Sequence, residues 1–181
     1  MTRRIIHCVT AIGILALVDG QILSAEPNPV DRARVAEHLE KLTDFFASDP
    51  FKPDGGWHRC PKVDLADLYR LPDGDPLRLN ALALARKYAN PADLVAPIDR
   101  GPGYHEQAHA KLRFAWDVLV KTGCLRPGMR LEEFVAIVGG PCEPRTVDNV
   151  TFVEWRYLSP MHVNPRLQIT LENNYVKTIK H

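Results

Sequence analysis

The chain has 181 residues, with 23 Lys and Arg against 22 Asp and Glu, 45% hydrophobic residues and four cysteines. That length suits one ordinary globular domain or two small ones, and a charged fraction of 25% excludes a disordered or low-complexity array. The near-zero net charge holds no clustered basic surplus, which argues against nucleic acid as a partner.

The first 25 residues read as an export signal. Arg3 and Arg4 precede an apolar run from Ile5 to Val18, and Leu23-Ser24-Ala25 offers small residues for cleavage before Glu26. The run of 14 residues falls short of the roughly 20 that a membrane-spanning helix needs, so no stable membrane span is expected after signal removal. Cleavage would leave 21 basic and 21 acidic residues, a neutral protein whose partner is selected by shape and local contacts rather than by bulk charge. The expected location is periplasmic or extracellular. There two of Cys60, Cys124 and Cys142 can pair as a disulfide. A helix predicted between Cys124 and Cys142 spaces them by about 11 Å, which favours Cys60 as a member of any pair.

Residues 26–103 carry helix signals. Asn28-Pro29 can cap and open a helix, and Val35, Leu39, Leu42 and Phe46 follow on one face. A loop rich in breakers runs over 49–61, and a short helical segment holding Val63 and Leu68 comes next. Asp75-Pro76 is a second cap-and-start pair, with Leu77, Ala81, Leu84, Ala85 and Tyr88 as the buried stripe. Asn90-Pro91 repeats the device for a short turn. Gly101-Pro102-Gly103 then breaks the chain before a longer helix over 104–121.

Beyond Gly123 the pattern changes. Leu131, Phe134, Val135 and Val138 form a helical stripe that Gly139-Gly140-Pro141 stops. Val153, Trp155 and Tyr157 alternate with Phe152, Glu154 and Arg156, and Leu167, Ile169 and Leu171 alternate with Arg166, Gln168 and Thr170. Asn173-Asn174 makes a tight turn into a return strand over 175–180, because Asn tolerates positive φ. The expected fold class is α+β: a helical N-terminal region, then helices on a three-stranded antiparallel sheet with one free face.

The segment Leu125-Arg126-Pro127-Gly128-Met129-Arg130-Leu131-Glu132-Glu133-Phe134-Val135, followed by Val138-Gly139-Gly140-Pro141, resembles the signature of the SmpA/OmlA family. These are the BamE-like envelope lipoproteins of the outer-membrane β-barrel assembly machinery. Trp155-Arg156-Tyr157 and the strand from Leu167 to Asn174 also resemble that family's aromatic strand and closing hairpin. The resemblance covers about 104–181 and implies two helices packed on a three-stranded antiparallel sheet, a fold shared with a secreted β-lactamase inhibitor protein. It further implies a non-catalytic module that binds other proteins. The lipidated cysteine of those lipoproteins is missing here, and residues 26–103 have no counterpart in them. The expected organisation is a signal at 1–25, a helical region at 26–103 and a BamE-like module at 104–181.

A competing motif is His105-Glu106-Gln107-Ala108-His109, which matches H-E-x-x-H. Two His one helical turn apart can share zinc while the Glu, here Glu106, activates a bound water, and Glu133 stands at a spacing suited to a third ligand. The alternative function is thus a zinc-dependent hydrolase with His105, His109 and Glu133 as ligands. Against it, the motif opens a helix that no sheet precedes, and His105 and His109 extend the stripe of Leu112, Trp116 and Leu119, where they would cap a buried face half exposed. The favoured reading has no cofactor: Phe152, Arg156, Arg166 and Gln168 share the free sheet face and bind an envelope or secreted protein, as an assembly factor or an inhibitor does. Trp57 and His58 fit loop packing around a disulfide at Cys60.

Overall fold

The computed structural model describes residues 29–52, 54, 56–94, 101–140, 144–157 and 165–181. The signal segment and Cys142 lie outside the described residues. Helix α1, Arg32–Ala47, starts at Asp31, whose carboxylate accepts the Arg34 N–H at 2.9 Å; the cap is therefore Asp31 rather than Asn28, itself outside the described residues. Val35, Leu39, Leu42 and Phe46 are buried as their spacing predicts, with Phe45 beside them. Helix α2, Pro76–Tyr88, opens as Asp75-Pro76 predicts: Asp75 accepts the Leu77 N–H at 2.9 Å. The buried Asp75 carboxylate also takes the Arg32 guanidinium, which fastens the starts of α1 and α2 together. The short segments at Ala66–Arg70 and Pro91–Leu94 are 3₁₀ turns.

Helix α3, Pro102–Lys121, is the axis of the fold. It is 20 residues long and buries side chains around most of its circumference, from His105 and Gln107 to Leu112, Trp116 and Leu119. An amphipathic surface helix buries one stripe; one buried on several sides lies between other elements. On one side Phe114 and Tyr88 meet Phe46, with centroids 5.6 and 5.4 Å away. Nearby, the Trp116 indole donates to the Ala89 carbonyl at 2.9 Å. Each such buried aromatic or aliphatic side chain contributes about 1.5–3 kcal/mol from area removed from water.

Helix α4, Leu131–Val138, leads into an antiparallel sheet of order β1-β2-β3-β4: Arg145–Val147, Val150–Arg156, Arg166–Glu172 and Tyr175–Lys180. The alternation is as expected: Val153, Trp155, Tyr157, Leu167 and Ile169 are buried. The sheet has four strands rather than three. The added strand β1 is exposed at all three positions, so no apolar alternation betrays it. Its turn, Asp148-Asn149, has both φ positive at 48° and 63°, as the Asn173-Asn174 turn does at 51° and 66°. Paired positive φ belongs to the tight hairpin turns whose twist matches that of the strands.

The sheet and α4 join through Trp155. Its ring stacks obliquely on Phe134 at 5.1 Å, and its indole donates to the Gly139 carbonyl at 2.9 Å. Gly139 has φ 81°, and a Cβ there would sit 2.4 Å from the Asn90 Cγ. This is why the helix stops on glycine: the position needs both a left-handed backbone and an absent side chain. The buried residues form one apolar cluster from Val35 to Val176, so the change of pattern near Gly123 does not divide the core. Among the described residues no helix is long and apolar enough to cross a membrane.

Candidate functional site

The five residues of the H-E-x-x-H segment reach different parts of the fold. Along a helix, successive side chains turn by about 100°, so His105 and His109 share a side while Glu106 and Gln107 point elsewhere. His105 Nδ1 lies 3.0 Å from the hydroxyl of Tyr157, just past the end of β2, and the His109 ring meets Tyr157 edge-on at 5.2 Å. Glu106 accepts from the Trp57 indole at 2.8 Å, the Arg59 guanidinium at 3.0 Å and the Cys60 N–H at 3.3 Å. Gln107, buried, donates to the Phe45 and Ser48 carbonyls at 2.7 and 3.0 Å, where α1 ends and its last carbonyls need donors.

Both imidazoles are buried, 2% and 8% exposed, rather than half exposed as their position on the stripe suggests. The sequence pattern cannot show that Tyr157, 52 residues on from His105 and just past β2, covers them. Burial, reinforced by Arg113, pushes the His109 pKa down to about 4. The Nε2 atoms of His105 and His109 are buried without hydrogen-bond partners among the described residues. Glu133, the third proposed ligand, is exposed near the start of α4, where its carboxylate accepts the Arg130 N–H at 3.1 Å. That is a helix-start interaction, placing an acid at the positive end of the dipole. Among the described residues no group of three His, Cys, Asp or Glu is placed to hold a metal ion.

The loop that follows α1 is packed by Glu106. The Arg59 guanidinium stacks 4.8 Å from the Trp57 ring while pairing with Glu106, and Phe51 and Trp57 bridge as a minimal β-pair. Gly103 lets this loop touch the helix: a Cβ there would lie 2.9 Å from Trp57 Cβ and 3.1 Å from the Pro50 carbonyl. Trp57 is thus organised by a carboxylate. Cys60 and Cys124 carry free thiols, and burial, then the charge of Glu106, pushes the Cys60 thiol up from its ordinary pKa.

The four sheet-face residues are brought together as their alternation predicts. Phe152 lies opposite Thr170, Glu154 opposite Gln168, and Arg156 opposite Arg166. Arg156 and Arg166 are exposed and Phe152 and Gln168 partly so, on the face opposite Trp155 and Ile169. Arg156 pairs with the largely covered Glu154 at 2.5 Å, so the charge at this patch is partly balanced. The Arg166 guanidinium has no ion pair or hydrogen bond among the described residues.

Sequence reasoning missed a groove beside α3. It encloses about 1410 Å³ and runs between the 59–69 segment and the sheet at Pro165 and Arg166. Its floor is the α3 stripe Glu106, Ala110, Arg113, Asp117 and Lys121, with His109 beside it. The signal available was this i, i+3, i+4 polar stripe on a helix otherwise buried. At the far end Asp117 accepts from the Tyr69 hydroxyl, from Lys121 at 2.9 Å and from His181 at 3.5 Å. Those donors outweigh the opposing effect of burial and hold its carboxyl well below the usual range. The chain matches no protein-family model, no curated protein and no solved structure.

Proposed function

We propose that the chain is an exported, non-catalytic envelope protein that binds another protein through the outer face of its sheet, with the C-terminal half acting as a BamE-like module. The observation that carries the reading is the registered cluster of Phe152, Arg156, Arg166 and Gln168 on the face away from the helices. Phe152 stands at one end of this face and the Arg156–Arg166 pair at the other, with Glu154 and Gln168 between them; aromatic and arginine side chains are the types enriched at protein-binding hot spots. The α+β layering, with helices on one face of an antiparallel sheet, is coarsely that of the module, to which β1 adds a strand. The periplasm or the cell exterior is the proposed location, from the sequence of residues 1–25.

The test is chemical cross-linking of the mature protein in envelope extract, with the captured partner quantified by mass spectrometry. Phe152→Ala and Arg156→Glu should each reduce its yield severalfold while lowering the melting temperature by no more than a few degrees. A partner recovered equally well by both variants would remove the role of this face. The alternative zinc hydrolase is less well supported, because Glu106 is engaged by three donors and Glu133 lies on another helix in its own hydrogen bond. Stoichiometric zinc in purified protein that is lost on His109→Ala would establish it instead.

A further inference from the structure

The α3 groove is too long and too open for a small metabolite. From Glu106 to Lys121 the helix rises about 22 Å, and the volume of about 1410 Å³ exceeds the roughly 300–1,000 Å³ of a small-ligand pocket. An extended peptide of about seven residues, at 3.3 Å per residue, covers that length. Val63, Leu65, Ala110 and Phe114 line it with apolar surface, suited to the alternate side chains of an extended strand.

The charges within it are unequal. Glu106 is paired with Arg59, Asp117 with Lys121 and His181, and Asp64 lies 4.0 Å from Arg34. The Arg113 and Arg166 guanidiniums have no carboxylate or hydrogen-bond partner among the described residues. Two guanidiniums are therefore left over, one on the floor and one on the sheet-side wall. Between Glu106 and Arg113 the His109 ring, 8% exposed, lines the groove with its Nε2 buried and unpartnered.

We propose that this groove is a docking site for an extended, acidic segment of another protein, held by Arg113 and Arg166 through its carboxylates. The segment's alternate apolar side chains face Val63, Leu65 and Phe114. The proposal goes beyond the sheet-face reading and does not depend on it, although Arg166 stands where the two surfaces meet.

The test is fluorescence anisotropy of the folded chain with a labelled heptapeptide in which glutamate alternates with leucine, and with its glutamine analogue. Saturable binding is expected for the glutamate peptide, about tenfold weaker for the glutamine peptide and weakened by salt. Arg113→Gln should lower affinity about tenfold and Arg113→Lys by less, because lysine keeps the charge and loses the fork. Phe152→Ala should leave peptide binding unchanged, so that failure here and failure of the sheet-face reading are told apart. Equal affinity for both peptides, no saturable binding of either, or indifference to Arg113→Gln would each overturn the proposal. Displacement by free glutarate at the peptide's own concentration would also overturn it, assigning the two arginines to a small anion.

Discussion

The Glu106 carboxylate accepts the Trp57 indole N–H at 2.8 Å, which places the acid of an H-E-x-x-H motif in the packing of the loop that follows α1. The same carboxylate holds Arg59 and the Cys60 N–H. A charged acceptor serving three donors is worth more than a neutral one, and its removal leaves three donors to find water.

Glu106→Ala is therefore expected to cost about 2–3 kcal/mol, read from the urea midpoint at unchanged m. It should also quicken alkylation of Cys60, followed by peptide mass spectrometry, since the nearby negative charge and the covering loop both hold that thiol protonated. An unaltered Cys60 rate would show that the loop keeps its place without Glu106.

At Gly139, alanine meets two obstacles: φ of 81° and the Asn90 side chain at 2.4 Å. Gly139→Ala should destabilise by about 3 kcal/mol or more. Adding Asn90→Gly removes the collision and retains the backbone penalty of about 1–2 kcal/mol. Thermal and urea melts of the pair separate the two contributions.

Trp155→Phe removes the donor to the Gly139 carbonyl and leaves a void beside Phe134. The expected loss is about 2–4 kcal/mol. Phe152→Ala, one strand position on the opposite face, should cost less than about 1 kcal/mol because Phe152 is only partly buried. Parallel denaturation of the two variants checks the assignment of faces.

His109 makes stability depend on pH in one direction. Its folded pKa is about 4, lowered by burial, Arg113 and His105 against the opposing Glu106, and its unfolded value is about 6.5. Above pH 6.5 the ring is neutral in both states and contributes no pH dependence. Between pH 6.5 and 4 the unfolded chain takes up a proton that the folded chain refuses, so stability falls as pH falls, by about 3 kcal/mol. His109→Gln should flatten that part of the profile in urea titrations at a series of pH values.

The sequence by itself determined the local elements and their faces. Asp75-Pro76, the stripe from Val35 to Phe46 and the alternation of Val153, Trp155, Leu167 and Ile169 all appear in the structure as their spacing requires. Capping and periodicity act within a few residues, so they are readable from composition in order. Strand β1 was not legible, because an edge strand exposed at every position carries no hydrophobic period. Only the tertiary structure decided what the motif on α3 does. Tyr157, Trp57 and the end of α1 converge on residues 105–109 from 49 to 62 positions away in sequence, and no local pattern encodes such meetings. The groove has the same origin: its floor is one helix, but its walls, and the two arginines left without partners, exist only where distant segments pack beside it.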